Sequence, residues 1–97
     1  MGIVTKLKNS LQEKTLIVDG PSKTILSGLA RTEFKKSKDL KKAFLAAFKF
    51  SELEGIATRA AFNHLIFVPE IEAELKKKKI DVQKFKLQFK KKFPDIA

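Results

Sequence analysis

The sequence predicts an all-α protein, a compact bundle of five or six short helices in a single domain. Three observations lead there. Apolar residues recur at three- and four-residue intervals along most of the 97-residue chain, a spacing that stacks side chains on one helical face. Gly, Pro and short acidic or hydroxyl side chains punctuate those runs, as they do at helix ends. Apolar residues are 43% of the chain and include nine phenylalanines, enough for a packed core and too many for wholesale disorder.

Ile3, Leu7 and Leu11 repeat every four residues and predict a first helix from about Ile3 to Glu13. Thr15 to Val18 is open to two readings, the end of that helix or a short extended piece, because β-branched residues cluster there. Asp19-Gly20-Pro21 ends what precedes it, and Pro21 suits the first turn of a helix running to about Lys36. Its apolar side is Ile25, Leu26, Leu29, Ala30 and Phe34. Ser37 or Asp39 caps the next helix, expected to about Lys49, with Leu40, Ala43, Phe44, Ala47 and Phe48 on one face. Ser51-Glu52-Leu53-Glu54 fits a capping box opening a helix to about Ile66. Apolar groups on both of its sides suggest a central position. Pro69 restricts Val68 and closes that helix. Glu70, Glu72 and Glu74 then open a helix favourably against its dipole, and Lys76 to Lys79 close it favourably. Asp81 caps a final helix from Val82 to about Phe93, ended by Pro94.

That last segment carries the strongest signal in the chain. Lys76 to Phe93 holds nine of the nineteen lysines and a single acid, Asp81. Phe85, Phe89 and Phe93 lie four residues apart and share one helical face with Val82. Lys84, Gln88 and Lys91 point away from that face, Lys90 lies to one side, and Leu87 is a lone apolar group on the outside.

Net charge is +10, which speaks about partners and not about fold. It is unevenly spread: residues 1–50 carry eleven basic and four acidic groups, residues 51–75 one and five, and residues 76–97 nine and two. Two basic blocks flank an acidic one. The expected function is therefore non-enzymatic nucleic-acid binding, to DNA or RNA, of a viral, phage or plasmid accessory or regulatory kind. The expected contacts are Lys35, Lys36, Lys38, Lys41 and Lys42 in one cluster, and Lys76, Lys77, Lys78, Lys79, Gln83, Lys84, Gln88, Lys90 and Lys91 in the other. A weak helix-turn-helix pattern spans Glu70 to Phe93, with Gln83, Lys84 and Gln88 able to reach base edges. The alternative is a helical protein-interaction module (an inhibitor, an immunity-type or a virion protein), with Leu87 in its contact patch. A homodimer through the Phe stripe is a further option, and binding to anionic membranes ranks third.

Other chemistries find little support. The chain has no cysteine and one histidine, so thiolate chemistry and Cys- or His-cluster metal sites are excluded, and no cofactor is expected. His64 falls on an apolar face and reads as a structural imidazole. The segment LIVDGPSKT lacks both glycines of a phosphate loop, with Ile17 and Ser22 in their places. Met1-Gly2 raises N-myristoylation, but Lys6 stands where Ser or Thr is wanted. The opening residues turn polar quickly, and the longest near-apolar run, residues 60–69, falls far short of the roughly 20 residues of a membrane span. An intracellular, cytoplasmic protein is expected, or one of the host-cell interior or virion if the chain is viral.

Overall fold

Acidic side chains start most of the helices. In the computed structural model, which describes residues 14–96, the Asp19 carboxylate accepts from the Ser22 amide at 2.8 Å and caps α1, Gly20–Ser37. Asp39 Oδ1 accepts from the amides of Lys41 and Lys42 at 2.9 and 3.4 Å and caps α2, Leu40–Leu53. Asp81 Oδ1 does the same for Gln83 and Lys84 at 2.9 and 3.2 Å, capping α5, Val82–Leu87. Between these lie α3, Thr58–Leu65, and α4, Pro69–Lys77, the latter with Pro in its first turn. A 3₁₀ turn, Pro94–Ile96, follows α5. Among the described residues there are five α-helices and no strand, so the all-α expectation stands. The predicted helix from Ile3 to Glu13 and the Met1-Gly2 signal lie outside the described residues.

The core is organised around α2. Ala43, Phe44, Ala47 and Phe48 are fully buried on one of its faces. A two-residue connection folds α2 back on α1, which contributes Leu26 and Ala30. Phe44 meets four rings, with centroids 5.0 Å from Phe85, 5.3 Å from Phe62, 5.9 Å from Phe89 and 6.0 Å from Phe48. Phe48 holds Phe89 and Phe93, each at 5.2 Å. Most of these pairs are edge-to-face, the arrangement the ring quadrupole favours. The Phe85-Phe89-Phe93 stripe is thus covered within the chain, which removes the stripe as a face for a second copy.

Several sequence expectations need correction. Ser51 opens no helix. It lies in the last turn of α2, fully buried, with its hydroxyl donating to the Phe48 carbonyl at 2.9 Å. The run to Leu53 is instead broken by Gly55, whose φ of 68° suits a residue without Cβ. The helix expected at the centre is therefore only Thr58–Leu65, and α2 takes the central place. On α1 the apolar side is narrower than expected, since Ile25 and Leu29 are exposed. Thr15 resolves as extended, pairing in parallel with Ile56. Its amide donates to Gly55 O, and its carbonyl accepts from the Ala57 amide, both at 2.8 Å.

The final helix is also shorter than expected. After Leu87 the backbone tightens, with Gln88, Phe89 and Lys90 amides donating to carbonyls three residues back at 3.1–3.2 Å. Lysines crowd this segment, and the one acid four residues from any of them, Asp95 after Lys91, is engaged by Thr58 and Lys14. The path is set instead by packing, since Phe89 and Phe93 must both reach Phe48. Phe89 is 1% exposed. Phe89→Ala should therefore cost about 3–5 kcal/mol of stability, read as a fall in the urea midpoint.

α3 lacks a cap of its own, because Ala57 precedes it. Asp95, from the far end of the chain, supplies one: its Oδ2 accepts from Thr58 N at 2.8 Å and Thr58 Oγ1 at 2.9 Å, with Lys14 Nζ at 3.4 Å. Burial pushes the Asp95 carboxyl up, but the Thr58 bonds and Lys14 outweigh it and hold the pKa below 3.8. A lowered carboxyl pKa stabilises the fold above the unfolded value, and that contribution is lost as pH falls through the folded one. Asp95→Ala should cost about 1 kcal/mol at neutral pH. Denaturation at stepped pH should show the gap to wild type shrinking below 3.8.

Candidate nucleic-acid interface

All fourteen side chains expected to contact nucleic acid are exposed. Lys35 and Lys36 sit in the last turn of α1, Lys41 and Lys42 in the first turn of α2, and Lys38 in the bend between them. Lys76 and Lys77 end α4, Lys78 and Lys79 form the next turn, and Gln83 and Lys84 open α5. Gln88, Lys90 and Lys91 follow in the tightened segment.

The fold joins the two basic blocks along one seam. Because Phe85, Phe89 and Phe93 pack on Phe44 and Phe48, the residues around them are drawn against the start and outer side of α2. One groove there is lined by Lys38, Asp39, Lys41, Lys78, Ile80 and Gln88, with Phe85 at its floor. A second holds Lys41, Leu45, Gln88, Phe89, Lys91 and Lys92. A third continues along α2 with Glu33, Lys42, Leu45, Ala46, Lys49 and Lys92. Lys41 and Gln88 line the first two, and Lys92 and Leu45 the last two, so the grooves adjoin.

Acids temper part of this field. Lys78 Nζ lies 3.0 Å from Glu74, and Lys76 Nζ 4.0 Å from Glu72, each one turn along α4. Arg31 Nε donates to Glu70 at 3.0 Å. The Glu70 carboxyl is held below 4.5 first by its own backbone amide and then by Arg31, with Lys35 adding to the effect. The acids of α4 thus spend themselves on Arg31, Lys35, Lys76 and Lys78. Among the described residues, Lys38, Lys41, Lys42, Lys49, Lys91 and Lys92 have no carboxylate within ion-pair distance. Six cations beside one another without such partners repel, which the fold must offset elsewhere.

The grooves also separate the expected residues. Lys38, Lys41, Lys42, Lys78, Gln88 and Lys91 line them, whereas Lys35, Lys36, Lys76, Lys77, Lys79, Gln83, Lys84 and Lys90 do not. Gln88 was expected to point away with Lys84, but the tightened backbone after Leu87 turns it toward Lys41. Lys49 and Lys92 are additions. Lys49 lies seven residues after Lys42, two turns along the same side of α2, a spacing that marks it in the sequence. Lys92 carries its ammonium 6.0 Å from the Phe93 ring centroid. A helix-turn-helix loses its recognition helix, since α5 is six residues long, or roughly 9 Å.

His64 is half-buried, its Nε2 2.8 Å from Ser27 Oγ and 3.2 Å from the Lys23 carbonyl. It ties α3 to α1. Among the described residues, no group of three His, Cys, Asp or Glu side chains is placed to hold a metal, and no helix is long and apolar enough to cross a membrane. Leu87 is exposed, and so are Leu53 and Phe67. Comparisons with protein-family models, curated proteins and solved structures found no match.

Proposed function

We propose that this chain is a small nucleic-acid-binding protein that grips the phosphate backbone with lysines gathered where α2 meets the segment after α5. The observation that carries the proposal is the convergence at Lys41, which lines one groove with Lys38, Lys78 and Gln88 and the next with Lys91 and Lys92. Cations from distant parts of the chain share one surface, and they outnumber the two acids that line it, Asp39 and Glu33. A polyanion relieves the repulsion among them and gains entropy by releasing its counterions.

Two backbone details support the same reading. Lys38 and Lys79 have φ of 60° and 52°. The left-handed region costs a residue with Cβ about 1 kcal/mol, which glycine avoids. Lysine stands at both helix ends nonetheless, and both are exposed beside the basic surface. Lysine is a flexible point charge, whereas guanine is read by the two-pronged arginine. With only Arg31 and Arg59 in the chain, and Arg31 on Glu70, affinity comes from the backbone more than from base sequence.

Fluorescence titration of a labelled duplex across a salt series tests this. If the six groove lysines without an ion pair, Lys38, Lys41, Lys42, Lys49, Lys91 and Lys92, each neutralise one phosphate, log K against log salt should fall with a slope of about −5. A flat dependence, or no binding at low salt, contradicts the proposal.

A further inference from the structure

Phe67 stands apart from the other phenylalanines. It is 70% exposed, while every other phenylalanine is buried or half-buried. Its exposure is built in. Leu65 and Val68, on either side, are 0% and 3% exposed and anchor the turn in the core. The Phe67 amide donates to His64 O at 3.2 Å and the Val68 amide to Leu65 O at 3.0 Å. Pro69 then fixes the start of α4. The ring is therefore presented outward from a short, well-anchored turn.

It lines a groove with Ile66, Ile80, Lys76 and Lys79. Glu72 also lines that groove, but its carboxylate lies 4.0 Å from Lys76 Nζ. Lys79 has no ion pair among the described residues. Ile80 lines both this groove and the one holding Lys38, Lys41 and Lys78. The Phe67 groove and the lysine seam thus adjoin at Ile80.

We infer that Phe67 is a stacking platform for an unpaired base of a single-stranded nucleic acid whose phosphates meet Lys79 and Lys76, an inference that rests on the nucleic-acid reading proposed above. An exposed ring beside cations is what strand binding without sequence preference uses, because every base offers a π-face. Paired bases in a duplex keep their faces covered, so the ring distinguishes single from double strands.

The test compares wild type, F67A and F67W on a twelve-nucleotide oligothymidine and on a duplex of equal length, at one salt concentration. Phe67 is exposed, so thermal melting should be nearly unchanged in both variants. F67A should bind the single strand about tenfold more weakly and the duplex as wild type does. F67W should bind the single strand at least as tightly, and its indole emission, the only one in the chain, should be quenched by the single strand and not by the duplex. Equal effects on both substrates, or none, overturn the stacking role while leaving lysine-seam binding to the duplex in place. If wild type binds neither substrate, the nucleic-acid reading falls and takes this inference with it. A blue shift of F67W on anionic vesicles together with no oligonucleotide binding assigns the ring to membranes instead.

Discussion

Everything in this structure hangs on the ring cluster centred on Phe44. That side chain is fully buried and meets Phe48, Phe62, Phe85 and Phe89 with centroids 5.0–6.0 Å away. It draws α3, α5 and the segment after α5 onto α2. Without it, the lysine-rich C-terminal segment would have no reason to fold against the rest, since its net charge opposes close approach to Lys41 and Lys42. Dispersion and the hydrophobic effect overcome that repulsion, because each buried aromatic contributes a few kcal/mol while partly solvated charges at surface separations cost much less. The core thus holds together a surface that would otherwise spread.

Acid placement complements this. The carboxylates of α4 face Arg31, Lys35, Lys76 and Lys78. Asp19, Asp39 and Asp81 are occupied at helix starts, and Asp95 caps α3 from a distance. These acids have structural tasks, and of the described acids only Asp39 and Glu33 border the grooves at the seam between α2 and the segment after α5. Positive charge is concentrated there by subtraction as well as by addition.

Much of the fold was legible in the sequence because periodicity reports burial directly. Phe44, Phe48, Phe85 and Phe89 are readable as inward-facing from their four-residue spacing, and Asp81 as a cap from its position, with Asp39 one of two candidates beside Ser37. Ser51 misled because S-x-x-E satisfies the capping pattern in either setting. Whether the hydroxyl caps a new helix or bonds back to Phe48 depends on where Gly55 breaks the chain. The Asp95 cap was invisible, since nothing local links residue 95 to Thr58. The basic clusters were legible as charge runs, but their meeting at Lys41 was not, because it follows from which rings touch across the core. Lys92 and Phe67 escaped for the same reason: the first turns toward α2, and the second is left outside by anchors at Leu65 and Val68.

The central claim is that position, and not net charge alone, makes the basic surface. Two quadruple variants with equal charge loss separate these. One replaces Lys38, Lys41, Lys91 and Lys92 of the grooves with Gln, and the other replaces Lys36, Lys77, Lys84 and Lys90, which lie off them. Affinity for the same oligonucleotide at the same salt should fall at least about tenfold further in the groove variant. Equal losses in the two variants would contradict the account.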